Sequence, residues 1–449
     1  MYNRATHSSR TFDGESDGFD MTARPDDAWV VLRERLPGLR KPPAGTGVRR
    51  REVGAHLAEI EATVEADPAS AFEWDGAGAG RLRAGGRMYR AGWFETSSVG
   101  ELEAVVRGKV GGEAGTGRVN LSVLVGTGPL TDVGMLQAMA GPAALFQVAS
   151  QFNCLEAPAP AIVRIARYVD DNTQGPRASV SAFPGTFLRH YAAPAGDGHR
   201  FVQGPARHLN LLADAVSPDV ARVDCGYLRA GGVADAGALQ ESLETRFEHI
   251  RVGVHDGVEV GFGGDWGGPV DAAAPTIAQV FTSTIALGAY SFGAADVFQG
   301  CSALLLRASY LGTLLAALAR GKRTVVLTLI GGGAFGNSLR RIWDSIVWAV
   351  DRAAAFAPAD LQVVVNGRDG LGAVRLRVRH SRLAGALSPC GPRGGARARS
   401  RSTVQGAAGR LLPRLPRSLR AGAGPGGGAG IAGAASQWTS SPAPAATDG

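Results

Sequence analysis

Lysine is almost missing from this chain. Of its 47 basic residues only Lys41, Lys109 and Lys322 are lysines, and arginine bias beside abundant Ala, Gly and Pro reflects GC-rich coding rather than a partner. Cysteine is scarce as well. Cys154, Cys225, Cys301 and Cys390 lie far apart with no C-x-x-C pair and no histidine at ligand spacing, which argues against a disulfide framework or structural zinc and for a reducing compartment. The first twenty residues have no apolar run and carry Asp13, Glu15, Asp17 and Asp20, so neither a secretory signal nor a transit peptide fits, and an intracellular location, cytoplasmic or nuclear, is expected. A long uncharged hydrophobic run is also lacking. The most apolar stretch, Ser302 to Ala319, contains Arg307 and reads as a core helix, so no membrane partner is expected.

What is present is 45% hydrophobic and 19% charged, enough apolar residue for at least one packed domain in 449 residues. The net charge of +7 is unevenly spread. Twelve arginines face only Asp448 from Arg375 onward, so that segment holds +11 and residues 1–374 hold −4.

The pattern divides the chain into a disordered leader (1–23), a helical extension (24–115), an α/β domain (116–374) and a disordered tail rich in Arg, Gly, Ala and Pro (375–449). In the extension, helices are expected over Asp26–Leu36 and Arg51–Ala66, separated by the breaker run Gly38–Gly47, with another over Glu101–Arg107. Beyond Arg118 strands alternate with helices. Strands are expected at Val119–Val125, Ala144–Phe152, Ile250–Val254 with Val258–Val260, Thr324–Ile330 and Leu361–Val365. Helices are expected within Gly175–Tyr191 and over Ala238–Ile250, Ser302–Arg320 and Ser338–Ala355. Near-continuous apolar strands imply a sheet covered on both faces.

The sharpest chemical feature is Gly331-Gly332-Gly333-Ala334-Phe335-Gly336-Asn337-Ser338, between an apolar strand and an amphipathic helix. Glycines let successive N–H groups turn toward one point, and the helix N-terminus adds positive dipole, so a diphosphate can be held without a cationic side chain. A ligand-free strand-to-helix turn is the plainer reading. The spacing approaches G-x-x-x-x-G-K-[ST], but Asn337 stands where that motif needs lysine, which argues against a nucleotide triphosphatase. Gly331, Gly333 and Gly336 also match G-x-G-x-x-G, too late in the chain for a two-half dinucleotide fold.

The run TVVLTLIGGGAFGNSLRRIWDSIVWAV resembles the second ligand loop of macrodomains, and ALFQVASQFNCLE resembles the strand of that superfamily that ends in a ribose-facing asparagine. YVDDNTQGPRASVSAFPGTFLRHY is similar to the first ligand loop and helix of a divergent macrodomain-like group, and the likeness extends through VRIARYV, IRVGVHDGVEV and IAQVFTSTIALGAYS, about residues 118–367. The resemblance implies a three-layer α/β/α sandwich with a mixed sheet. It further implies that the chain binds ADP-ribose or an ADP-ribosylated protein. The loop Gly331, Gly332, Gly333, Ala334, Phe335, Gly336 and Asn337 would wrap the diphosphate. Phe335 would lie on the distal ribose, Asn153 would hold its hydroxyls, and Gln174 with Gly175 would close the other side.

Two departures matter. Macrodomains usually carry Gly-Asp after the first strand for adenine, whereas Gly126-Thr127-Gly128 stands here with only Asp132 nearby. The first loop, Thr173-Gln174-Gly175-Pro176, also lacks the glycine run and following acid of many ADP-ribosyl hydrolases. If an ADP-ribosyl bond is hydrolysed, a carboxylate or oriented amide must activate water near the anomeric carbon. Asp171 with Asn153 is the expected catalytic pair, and Glu156 and Gln174 are further candidates. Each has a plainer reading: a helix cap for Asp171, a solvated loop acid for Glu156, a turn residue for Asn153.

His190, His199 and His208 are too loosely spaced for a metal set, so they are read as surface or capping residues, and no metal or cofactor is expected. Ser181, Ser283 and Ser302 lack a G-x-S-x-G context. Three functions stay open: a hydrolase, a non-catalytic ADP-ribose reader, and association with nucleic acid through the arginine tail alone.

Overall fold

The computed structural model describes residues 17–20, 50–111, 115–126, 129–263, 275–291 and 296–368. The chain divides into two units, residues 1–386 and 387–449, and the described residues all belong to the first. The expected helix at Asp26–Leu36, the breaker run Gly38–Gly47, most of the leader, Thr127 and the tail lie outside them.

A ten-stranded sheet runs through the molecule in the order β1-β5-β14-β13-β6-β12-β11-β4-β3-β2. Its parallel part comprises β1 (Asp17–Asp20), β5 (Val119–Val125), β14 (Leu361–Arg368), β13 (Thr324–Thr328), β6 (Ala144–Ala149) and β12 (Thr276–Thr282). Beyond β12 the strands β11 (Arg251–Glu259), β4 (Arg87–Ser98), β3 (Gly80–Ala84) and β2 (Phe72–Trp74) continue antiparallel. In the parallel centre, TVVLT and LQVVVNGR are rich in β-branched residues and mostly buried, and VNLSVLV is buried over Ser122–Leu124. Helix α8 (Leu339–Ala354) packs on β5 and helix α7 (Gln299–Ala319) on β13.

Four helices cover one face: α2 (Val99–Lys109), α6 (Ala236–Thr245), α7 (Gln299–Ala319) and α8 (Leu339–Ala354). The other carries α1 (Arg50–Ala66), α3 (Val133–Met139), α4 (Gln174–Ser181) and α5 (Phe183–Tyr191). This is the expected three-layer arrangement. Short strands β7 (Ala193–Pro194), β8 (Arg200–Phe201), β9 (Ala221–Asp224) and β10 (Tyr227–Val233) form two small ribbons outside the main sheet.

Several elements differ from the sequence reading. Asp17–Asp20, expected in a disordered leader, pair in parallel with β5. The stretch expected as a helical extension does contribute α1 and α2, and it also supplies β2, β3 and β4, with β4 bonded along β11. Residues 50–111 are thus built into the main sheet. The two runs at Ile250–Val254 and Val258–Val260 belong mainly to one strand, β11, whose register shifts between His255 and Val258 around Gly257 at φ 76°. Opposite, Gly92 sits at φ 78°, where a β-carbon would stand 2.4 Å from the Asp256 carbonyl oxygen.

Helix α7 is, by length and composition, the one helix among the described residues able to cross a membrane, yet it is the central buried helix of its layer. It carries a polar stripe inward. Gln147 of β6 donates to the Ser309 carbonyl at 3.3 Å and to Thr313 Oγ1 at 3.0 Å, so the buried amide nitrogen is satisfied.

The topology singles out one place. From β6 the chain leaves toward α4 and α5 on one face, while from its parallel neighbour β13 it leaves toward α8 on the other. Adjacent strands whose connections depart in opposite directions leave a crevice beyond their carboxyl ends, the usual ligand position in an open α/β sheet.

Candidate functional site

One wall of this crevice is the glycine loop. Gly331 has φ 71° and Gly336 φ 63°, and a β-carbon on Gly331 would come within 2.5 Å of Thr284 Cγ2, so only glycine fits there. The loop closes on itself through Asn337 N–H to Gly331 O at 2.8 Å and Gly336 N–H to Gly333 O at 2.9 Å. It docks on the segment after β12 through Leu287 N–H to Phe335 O at 2.9 Å. Among the described residues the N–H groups of Gly333, Ala334 and Phe335 have no partner. Helix α8 then starts at Ser338, whose side chain makes no capping bond, leaving the first-turn N–H groups open.

Asn337 does not face the crevice. Its Nδ2 donates to Ile285 O at 3.1 Å and to Gly331 O and Phe335 O at 3.3 Å, and its Oδ1 accepts from Ser302 Oγ at 2.5 Å. The residue at the motif's lysine position therefore shapes the loop from inside. Phe335 is half-buried against Tyr227 and Tyr290, with ring centroids at 5.4 and 5.6 Å. Tyr227 and Tyr290 in turn donate their hydroxyls to the carbonyls of Ala157 and Pro158, so three rings tie the two walls together.

The opposite wall is the turn after β6 and the start of α4. Asn153 is buried, with Nδ2 donating to Cys225 O at 3.1 Å and Oδ1 accepting from Leu155 N–H at 3.1 Å. Both amide ends are used on backbone, which matches the turn reading and leaves little for a ribose. Asp171 is half-exposed and accepts from Thr173 N–H at 2.7 Å through Oδ1, an Asx turn ahead of the helix rather than the expected cap, since Thr173 is itself the N-cap residue. Gln174 turns its Oε1 to the Val133 N–H at 2.9 Å. Gly175 lies so close to β6 that a β-carbon would stand 2.1 Å from the Ala149 carbonyl oxygen. Asp132, the only acid near the usual adenine position, caps α3 by accepting from Met135 N–H at 3.2 Å and is ion-paired with Arg177.

Two further plain readings are overturned. Glu156 is 3% exposed rather than a solvated loop acid, and His190 is buried and stacked on Tyr191 rather than at the surface. Burial pushes the Glu156 carboxyl well above the usual carboxylate range; the nearby Arg189 guanidinium opposes this and the Asp171 charge adds to it. Ser179 Oγ donates to Glu156 Oε1 at 3.4 Å, and the carboxyl's other oxygen would stand 3.0 Å from a β-carbon on Gly175. Burial also takes His190 down to about 4.

Several residues of this region were not legible as site residues. Gln151 Oε1, Thr282 Oγ1 and Thr284 Oγ1 are buried polar atoms without a hydrogen-bond partner at the carboxyl ends of β6 and β12. Such orphans are rare in a packed interior and call for an explanation at a site. The only hint in the sequence is the polar TST directly after the apolar run IAQVF. Arg189 and His255 gave no hint at all. No group of three or more potential metal-binding side chains is found among the described residues.

No protein-family model matches the chain, and no curated protein matches it. Solved structures similar to it include a poly(ADP-ribose) glycohydrolase from Thermomonospora curvata, at 13% identity over 70% of this chain and 92% of that one, with a TM-score of 0.35. The same enzyme bound to the inhibitor ADP-HPD is similar at 14% identity over the same shares, with the same TM-score. A poly(ADP-ribose) glycohydrolase from Deinococcus radiodurans in complex with ADP-ribose shares 11% identity over 61% of this chain and 87% of that one, at a TM-score of 0.35. The overlap is shallow.

Proposed function

We propose that the crevice binds ADP-ribose or a related nucleotide diphosphate in the manner of a macrodomain. The observation that carries this is the run of three N–H groups at Gly333, Ala334 and Phe335 without a partner among the described residues, three residues before the uncapped N-terminus of a sixteen-residue helix. Open backbone donors beside a helix N-terminus suit a diphosphate, and no lysine is needed. Phe335 of this loop, which packs on Tyr227 and Tyr290, would cover the distal ribose.

Titration calorimetry of the full chain with ADP-ribose tests this. Gly333 is exposed, lacks a positive φ, and has nothing within 4 Å of where its β-carbon would be, so Gly333→Glu should fold normally while placing a carboxylate against the diphosphate. Binding is expected in the parent and at least about tenfold weaker, ~1.4 kcal/mol, in the variant at an unchanged melting temperature. Absence of heat at millimolar ADP-ribose, or equal affinity in the two proteins, defeats the reading.

A second reading, hydrolysis of an ADP-ribosyl bond, is favoured by the two carboxyl groups on the wall opposite the loop. Glu156 is buried and Asp171 half-exposed, so their environments differ as those of an acid and a base do. Release of free ADP-ribose from a modified protein distinguishes a hydrolase from a reader. Asp171→Ala is expected to stop that release and spare binding.

A further inference from the structure

Below α4 lies a buried cation that neither the loop nor the aromatic cluster explains. Arg189, on the last turn of α5, is fully buried, and among the described residues no carboxylate bonds to it. Its Nε donates to the Cys154 carbonyl at 3.1 Å, Nη2 to Thr186 Oγ1 at 3.0 Å and Nη1 to His255 Nδ1 at 3.0 Å, while the guanidinium lies 3.6 Å from the Phe281 ring centroid. His255 Nε2 is 2.7 Å from the Ala91 carbonyl. Both imidazole contacts are satisfied only when Nε2 carries the proton and Nδ1 accepts, so His255 is neutral and serves to orient Arg189.

The carbonyl that Arg189 holds belongs to a strained residue. Cys154 has φ 61°, a left-handed conformation uncommon for a side chain of this kind, and it turns the chain from Asn153 toward Glu156. Gln203 secures the same turn, its Nε2 donating to Asn153 O at 3.1 Å and to Arg189 O at 2.8 Å. A matching left-handed residue, Cys225 at φ 45°, presents the carbonyl taken by Asn153. Two unfavourable turns are therefore locked together, and Arg189 supplies the one charged bond in the lock.

We propose that Arg189 is a positioning residue of the crevice: its guanidinium fixes the left-handed turn at Cys154, two residues before Glu156, that carries the Glu156 carboxyl beneath Gly175. The inference rests on the crevice being the ligand site. Other groups acting on Glu156 are Asp171 from the loop before α4, Tyr168 from the turn at Ile165–Asp170, Ser179 of α4, Tyr227 of β10 and Cys154 itself. Arg189 is the only cation among them. It stays charged, since burial lowers it only to about 10.

The test compares the full-length parent with Arg189→Lys and Arg189→Met and uses Glu156→Gln to identify the Glu156 carboxyl band in infrared difference spectra. With no ligand present, the pH midpoint of that band is expected to rise by one unit or more in Arg189→Met and by less in Arg189→Lys. ADP-ribose affinity is expected to fall about tenfold or more in Arg189→Met. A purely structural arginine would lower the melting temperature without moving the midpoint, and that result overturns the proposal. Should Arg189→Met fail to fold, Arg189→Lys decides alone: its lysine cannot reproduce the three-way fork, so an unmoved midpoint at parental affinity overturns it equally. If no protein in the set binds ADP-ribose but the midpoint moves, the crevice reading fails while the hold of Arg189 on Glu156 stands.

Discussion

Gly175→Ala is expected to destabilise the chain by about 3 kcal/mol or more, the upper end of what overpacking a closed interior costs. The added methyl would meet the Ala149 carbonyl oxygen at 2.1 Å and a Glu156 carboxylate oxygen at 3.0 Å. The first of these is main chain at the end of a central strand, where Ala149 pairs with Thr282 of β12, and it cannot rotate away as a side chain would. Helix α4 would have to lift from β6, and with it the crevice wall that carries Gln174. The comparison that gives the number meaning is Gly333→Ala, where open space predicts a change within about 0.5 kcal/mol. Urea unfolding of both variants measures the difference. Equal stability would mean that α4 does not approach β6 as closely as the structure has it.

The same pair shows what the sequence could and could not disclose. Both glycines stand in motifs that read as ligand loops, and nothing in either motif says that one is wedged and the other free. Period and composition were enough for the central strands: Val119–Val125 is observed with the bounds expected, because seven residues of near-continuous β-branched and apolar character leave no other choice. They were not enough for β2 to β4, where Arg81, Arg83, Arg87 and Arg90 interrupt the apolar pattern of β3 and β4, and β4 pairs with β11 far along the chain. Strand β12 was hidden similarly. It carries Gln279, which reads as a surface residue yet is buried and donates to the Ala178 carbonyl at 3.1 Å.

For the site, the legible part was the backbone part. A glycine run between an apolar strand and an amphipathic helix constrains conformation locally, and the loop stands where it was expected. Side-chain roles were less legible because they depend on partners distant in sequence. Asn153 and Asn337 carry the same donors and acceptor whether they meet a ribose or a carbonyl, and in the structure both meet carbonyls. Arg189 in FPGTFLRHY looks like an exposed basic residue closing a helix. Its burial is decided by His255, sixty-six residues away on β11.

Glu156→Gln is expected to leave stability nearly unchanged at pH 4 and to raise it increasingly toward pH 8. Burial places the folded-state pKa of Glu156 well above its ordinary 4.5. Below 4.5 both folded and unfolded chains hold the proton and pH has no leverage. Above it the unfolded chain releases the proton while the folded chain keeps it, so stability falls by about 1.4 kcal/mol per pH unit until the folded-state pKa is reached. Glutamine has nothing to release, so its advantage grows at that slope. Arg189 is charged in both states over this range, and the low-titrating His190 is common to both proteins, so each cancels in the difference. The opposite sign would be equally informative. Were Glu156 ionised against Arg189 as a buried pair, its removal would strand a buried guanidinium and cost about 3–5 kcal/mol at neutral pH. Arg189 is instead satisfied by a carbonyl, a hydroxyl and a neutral imidazole, and so tolerates a neutral neighbour. Melting curves of parent and variant from pH 4 to pH 8 separate the two cases, and parallel curves would show that Glu156 is neither protonated nor paired.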